Sequence, residues 1–228
     1  MHYLPIYGQA REEFWSKFSI NKKIDNKWIV GEDLQYRSQE NYQQNNKQRF
    51  QNPLLQSIRI TLYYKIAPKY NIDLLASPLV YFRSFNVDKQ ANITDQREMR
   101  VALGAMQQQT LWKKIKLRNR LQYEMRFLKI DEPEQILQHR ARWQIQMTMP
   151  ICGTSTKNCS INYIMFNEVF FAHENRNTFH EQNRFYNALQ IKYKWIDWNV
   201  GYQKSIQNVK GELVARNQLH FSANLTIE

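Results

Sequence analysis

The chain is short of the residues that build nucleotide-cradling loops, with six glycines and six prolines in 228 residues. Neither GxGxxG nor GxxxxGK[ST] occurs, which removes the glycine-rich phosphate loops of dinucleotide-binding and P-loop enzymes. Only two cysteines are present, Cys152 and Cys159, and no histidine is near enough to complete a four-ligand zinc site with them. They form either a loop disulfide or two free thiols. Acids are few against bases, 20 Asp+Glu to 32 Lys+Arg, which leaves a formal charge of +12. No apolar run approaches the roughly 20 residues of a membrane-spanning helix. That excludes helical membrane proteins but not membrane barrels, whose alternating strands keep mean hydropathy low; here it is -0.69. At 14% aromatic and 43% hydrophobic, the chain is not a disordered tail. The opening MHYLPIYG lacks a basic segment followed by an apolar one. The sequence is therefore that of a cytoplasmic protein or of one whose secretory signal has been removed.

What is present in quantity is alternation. From Lys114 to Phe127, Ile115, Leu117, Leu121, Tyr123, Met125 and Phe127 fall on one face, interrupted only by Asn119. Lys116, Arg118, Arg120, Gln122, Glu124 and Arg126 fall on the other. A helix would scatter both sets around its surface, whereas a strand separates them. The split recurs in 57–66, 140–149 and 213–227, and further strands are expected near 14–24, 27–37, 71–83, 98–108, 161–172, 183–194 and 195–206. Helical periodicity survives only weakly, around Phe14, Trp15 and Phe18. Eleven strand-like segments and no shift of composition predict one domain spanning 1–228.

The links at Asp25-Asn26, at 68–70, at Trp112-Lys113 and at Trp195-Ile196 are short, while those around 38–55, 84–97 and 173–182 are long, polar and rich in Asn and Gln. Short turns on one rim and long loops on the other describe an outer-membrane barrel. The segments run about 10–15 residues, against the 9–11 that cross a bilayer and the 5–6 typical of soluble strands. Tyr63, Tyr64, Tyr81, Phe82, Trp112, Phe127, Trp143, Phe170, Phe171, Trp195 and Trp198 lie near segment ends, where aromatic girdles belong. The basic face is then the bore, since an arginine facing lipid at mid-bilayer costs roughly 2–4 kcal/mol.

The fold expected is all-β, a single antiparallel up-and-down transmembrane barrel. Single-chain bacterial barrels have even strand counts, so twelve strands are expected, with residues 1–13 supplying an extra first strand or a periplasmic lead; ten is the alternative. An ionic network is expected inside, among Glu98, Arg100, Lys116, Arg118, Arg120, Glu124, Arg126, Arg140, Arg142, Glu168 and Arg184.

The elements Glu98–Arg100 (EMR), Leu117–Phe127 (LRNRLQYEMRF), Arg140–Arg142 (RAR), Asn167–Phe171 (NEVFF), Gln182–Arg184 (QNR) and Val200–Tyr202 (VGY), in that order, resemble a bacterial outer-membrane β-barrel family classed as a domain of unknown function. The resemblance runs from about Phe14 to the C-terminus. It implies an outer-membrane barrel in a diderm bacterium and supplies no catalytic residue.

Three other constellations compete. His220, Ser222 and Asn224 share one face, and a Ser–His pair is the chemistry of a lipid-modifying barrel enzyme. Residues two apart on a strand, however, stand about 6.6–7 Å apart, too far for a direct hydrogen bond. His173 and His180, with Glu174 and Glu181, could be drawn on for a metal site, but polar loops carry such residues for solvation. The arginines could also track phosphates on a soluble nucleic-acid-binding sheet, although the aromatics that would stack bases lie on the other face. The expectation is a non-catalytic structural barrel or a narrow anion-preferring channel, without metal or cofactor. Its partners would be outer-membrane lipid, lipopolysaccharide and the barrel-assembly machinery, with no nucleic acid.

Overall fold

The alternating segments form eleven strands, one for each segment read from the sequence. They are β1 (Arg11–Lys23), β2 (Trp28–Gln39), β3 (Asn52–Ala67), β4 (Ile72–Ser84), β5 (Gln96–Leu111), β6 (Ile115–Asp131), β7 (Glu134–Gly153), β8 (Cys159–Glu174), β9 (Asn177–Tyr193), β10 (Ile196–Val209) and β11 (Glu212–Ile227). The computed structural model describes residues 11–40, 50, 52–67, 72–85, 96–112, 114–131, 134–153, 159–174, 177–209 and 212–228. Each strand pairs antiparallel with its neighbours in sequence, and β1 closes on β11 to make a barrel.

The count corrects the expectation of twelve or ten. With an odd number of up-and-down strands, the first and last run the same way, so closure has to be parallel. The β1–β11 register runs unbroken from Arg11↔Arg216 to Lys22↔Ile227. A twelfth strand has no open edge to join, because β1 is already paired on both sides. Met1–Ala10, the proposed source of that strand, lies outside the described residues.

The strands run longer than the alternation alone suggested, and this changes the rims. One rim carries only short links, at 24–27, 68–71, 112–114, 154–158 and 194–195. The other carries the long links 40–51 and 85–95, but its remaining three connections are two residues each, at 132–133, 175–176 and 210–211. The segment 173–182, expected as a long loop, is the end of β8 and the start of β9, with Glu174 paired to Asn177. Its polar composition suits a hairpin whose backbone hydrogen bonds continue past the wall. Two tight turns force non-glycine residues into the left-handed region, Trp112 at φ 46° and Lys194 at φ 51°.

Irregularities fall where the sequence demands them. Pro78 has no N–H to give to a ladder, and β4 shifts register between Ser77 and Val80. Pro150 stands at the shift between Pro150 and Cys152 on β7. A third shift, where Phe170 opposes Gln182 but Phe171 opposes His180, leaves Glu181 as the extra residue on β9. Gly201 marks a close approach, since a Cβ there would lie 2.2 Å from the Asn187 carbonyl oxygen.

Burial is inverted relative to an ordinary globular protein. Among the described residues, 21 polar or charged side chains are buried against 11 hydrophobic ones, while 29 large hydrophobic residues are exposed. Leu121 and Ile145 stand on the outer wall, and Gln144 is buried on the inner one. Three aromatic placements are corrected: Phe82 and Phe170 are buried inside the barrel, and Tyr63 faces the same interior beside Leu75, Arg59 and Asp33, so none of the three lies on the outer rims. Tyr63 and Phe170 follow the period of two from Thr61 and Glu168, whereas Phe82 is turned in by the register shift at Pro78, which carries the inward row from Leu75 and Ser77 to Val80 and Phe82.

Candidate functional site: the ionic bore

Five adjacent strands, β5 to β9, bring their inward positions together. Register does most of the assembly. Glu124 on β6 lies opposite Arg140 on β7, Arg100 on β5 opposite Arg126 on β6, and Glu168 on β8 opposite Arg184 on β9. Opposite and diagonal neighbours on one face lie within reach of long side chains. The result is an alternating chain of acids and bases.

Glu98 receives Arg126 Nε at 2.6 Å and Arg100 Nη2 at 2.9 Å. Arg126 Nη1 donates to Glu181 Oε1 at 2.8 Å, and Arg140 Nη1 reaches the other oxygen of Glu181 at 3.3 Å. Arg140 Nε donates to Glu124 Oε2 at 2.8 Å, while Arg142 Nη1 takes the remaining Glu124 oxygen at 2.7 Å. Arg142 turns its Nη2 to Glu168 at 2.6 Å, where Arg120 Nη2 joins at 2.9 Å. Arg184 stands at 3.7 Å from Glu168. Arg118 donates to Gln146. The carboxylates are almost wholly enclosed, with Glu124 at 1% side-chain exposure and Glu168 at 3%. Charged groups that deep persist only when paired and hydrogen-bonded.

Ten of the eleven residues expected in the network face this interior. Lys116 is exposed near the rim of short turns and takes no part in the chain of ion pairs. Glu181, which the sequence placed with His180 as a metal candidate, is instead the link between Arg126 and Arg140. Strict alternation from Gln182 would have turned it outward, but the register shift points it in, so period-two reasoning passed it over. The other supposed metal donors disperse: Glu174 accepts from Gln138, His173 pairs with Thr178, and His180 packs against Phe171. Among the described residues no cluster of His, Cys, Asp and Glu is arranged to hold a metal. Cys152 and Cys159 are free and exposed.

A second, smaller set lines the opposite wall. Glu13 pairs with Arg216 and accepts Gln218 Nε2 at 2.5 Å, and Lys17 Nζ meets Asp33 at 3.1 Å. Aromatic rings join the two sets across the bore. Phe170, fully buried, is faced by Arg184 at 4.5 Å and Arg142 at 4.9 Å. Arg184 also stands 5.7 Å from the Trp15 ring, whose centre lies 3.7 Å from Arg37. Cations over aromatic faces gain roughly 0.5–2 kcal/mol each. Trp15 in turn packs edge-on to His220, and Tyr186 Oη and His220 Nδ1 share a hydrogen bond at 3.1 Å. Ser222 Oγ accepts from Asn199 Nδ2 at 2.9 Å. His220 and Ser222 thus turn to different partners.

The bases outnumber the acids. Among the described residues, eleven enclosed cations (Lys17, Arg37, Arg59, Arg100, Arg118, Arg120, Arg126, Arg140, Arg142, Arg184 and Arg216) face seven carboxylates (Glu13, Asp33, Glu98, Glu124, Glu168, Glu174 and Glu181), an excess of four, while Lys192 and Asp197 pair with each other near the rim. The surplus shows in the hydrogen bonds: the buried Nε atoms of Arg37, Arg59, Arg118, Arg184 and Arg216 find no acceptor among the described residues. Such an interior is positively biased.

No curated protein and no solved structure matches the chain. The sequence pattern of one family, described as "Protein of unknown function (DUF2490)", matches residues 12–216 and so takes in all of β1 to β10 but its first residue, together with the whole ionic bore. The chain belongs to that family, DUF2490.

Proposed function

We propose that this protein is an integral barrel of a bacterial outer membrane whose bore is closed by its own Arg/Glu and aromatic side chains. Its role is structural rather than catalytic. The inverted burial carries this reading. A wall exposing so many large apolar side chains far exceeds the few hundred Å² that soluble monomers leave uncovered, and a bilayer is the solvent that suits it. The exposed Trp28, Trp112, Tyr193 and Trp195 beside the short-turn rim suit the bilayer interface. On this reading, lipid, lipopolysaccharide and the barrel-assembly machinery are the partners.

The surplus of cations favours a second mode for the same barrel, a narrow path for anions, because positive charge in a confined low-dielectric passage concentrates them. The enzyme reading loses support from the separate partners of His220 and Ser222. Nucleic-acid binding loses support from arginines that point into the bore.

The test is refolding. The chain should fold only in detergent or lipid, with a β-type far-UV spectrum and gel mobility that changes on heating. A monodisperse, folded protein in plain buffer would overturn the membrane reading.

A further inference from the structure

Three cations of the bore meet on one wall. On β9, β10 and β11, Arg184, Ser205 and Arg216 are directly opposed and face inward, with Ser205 between the two arginines. On β1 and β2, Trp15 and Arg37 are likewise opposed. Closure sets β1 beside β11 and so brings this pair to that row. The Arg37 guanidinium carbon stands 3.7 Å from the centre of the Trp15 ring, and that of Arg184 stands 5.7 Å from it. Arg37 lies within electrostatic reach of both Arg184 and Arg216.

Five donors of this cluster lack an acceptor among the described residues: the Nε atoms of Arg37, Arg184 and Arg216, the indole Nε1 of Trp15 and the hydroxyl of Ser205. Ser205 is wholly buried and Trp15 is 8% exposed, so bulk water does not serve them. A buried donor without an acceptor carries its desolvation cost in full, and like charges confined together add repulsion. The nearest carboxylates are engaged. Glu13 accepts from Arg216 Nη1 and Gln218 Nε2. Glu168 accepts from Arg142 and Arg120, and Arg184 stays 3.7 Å from it. Three guanidiniums against Glu13 leave two positive charges in excess at this point.

There is room for an ion. Side chains alone fill a barrel of eight strands, and eleven strands enclose a wider bore. Arg184 and Arg216, although they face inward, keep 13% and 18% side-chain exposure, so solvent-sized space reaches them inside the barrel. Their long stems let the guanidiniums turn to meet an ion without movement of the wall. The donors come from several sides, and guanidinium forks match oxyanions in geometry. A dianion with tetrahedral oxygens suits both the charge and the number of donors.

We propose that this cluster is an anion site within the bore, taking one inorganic oxyanion of the phosphate or sulfate class between Arg37, Arg184 and Arg216. The ion neutralises the wall that the chain's own carboxylates leave positive, and so completes the closure of the barrel. The site deepens the closed-bore reading and rests on it.

The experiment is equilibrium dialysis of the full chain, folded in detergent, against radiolabelled inorganic phosphate at fixed ionic strength. The wild type should hold one phosphate per barrel. Sulfate should displace it; equal concentrations of chloride or of glycerol 3-phosphate, whose ester group an enclosed site excludes, should not. Arg37→Gln should weaken binding at least about tenfold. Trp15→Phe, which keeps a ring and removes only the indole N–H, should weaken it about threefold or more. Arg59→Met removes a bore cation outside the cluster whose Nε also lacks an acceptor, and should bind as the wild type does. Undiminished binding by heat-modifiable Arg37→Gln and Trp15→Phe variants would overturn the proposal. So would an equal loss in Arg59→Met, which would make uptake a response to total charge, or equal displacement by chloride or glycerol 3-phosphate. A barrel that folds in detergent and binds no phosphate removes the anion site alone. A chain that folds in plain buffer removes the membrane reading, and the same dialysis still decides the site.

Discussion

Glu124 is the point at which the bore is most open to a decisive perturbation. Its carboxylate is 1% exposed and accepts from Arg140 Nε at 2.8 Å and Arg142 Nη1 at 2.7 Å, with Arg100 Nη1 at 3.7 Å. Glu124→Gln keeps the volume, removes the negative charge and turns an NH₂ group towards a guanidinium. Hydrogen bonds to charged groups contribute about 1.5–3 kcal/mol each, and the amide oxygen can replace only one of them. Breaking one side of a buried ionic pair costs roughly 3–5 kcal/mol. The lower end applies here, because Arg140 keeps Glu181 and Arg142 keeps Glu168. The expected loss is therefore about 3 kcal/mol. At a urea slope near 2 kcal/mol per molar, the unfolding midpoint should fall by about 1.5 M. The assay is urea unfolding from lipid vesicles followed by tryptophan emission, with Lys116→Gln as an exposed control expected within about 0.5 kcal/mol. If Glu124→Gln also stays within about 0.5 kcal/mol, the carboxylate is hydrated and the bore is wide, and the reasoning fails.

The cation surplus makes the network asymmetric: Arg59→Met, which removes a guanidinium whose Nε lacks an acceptor, should cost less than about 1 kcal/mol or stabilise, as apolar replacements of buried charges often do. A loss above about 2 kcal/mol in the same urea titration would show that Arg59 is compensated. Single cysteines at Leu121 and Ile145 should react with lipid-soluble maleimides in vesicles and those at Arg120 and Gln144 should not; the opposite pattern would mean a register slip, which flips every side chain. In planar bilayers any conductance should prefer anions and lose that preference near 1 M salt, where screening shortens to about 3 Å, and cation preference would refute the charge count. Lys194→Gly at φ 51° should raise the unfolding midpoint by an amount worth about 1 kcal/mol, since left-handed backbone costs a side-chain-bearing residue that much; an unchanged midpoint would show that the turn carries no strain.

Much of the fold was legible because a strand has a period of two. The Lys114–Phe127 alternation alone separates the inner row Arg118, Arg120, Glu124, Arg126 from the outer Leu121, Tyr123, Met125, and the barrel keeps that separation. Its ionic partners were legible in kind, since so many arginines on one face demand carboxylates on the same side. Less legible were the places where the period breaks. Glu181 enters the bore only through a register shift, and the polar stretch 173–182 pairs as a hairpin although its composition resembles a loop.

The sequence by itself determined the strands, their two faces and the gathering of charge on one of them, because those follow from local alternation. Only the tertiary structure decided the strand count, the parallel seam and the meeting of Arg184 with Trp15 and Phe170 across the bore. Closure is a global condition: whether β1 meets β11 directly depends on the tilt and curvature of all eleven strands together, and no local pattern encodes it. The same closure brings Trp15 and Arg37 to Arg184 and Arg216, and so gathers the proposed anion site from distant parts of the chain.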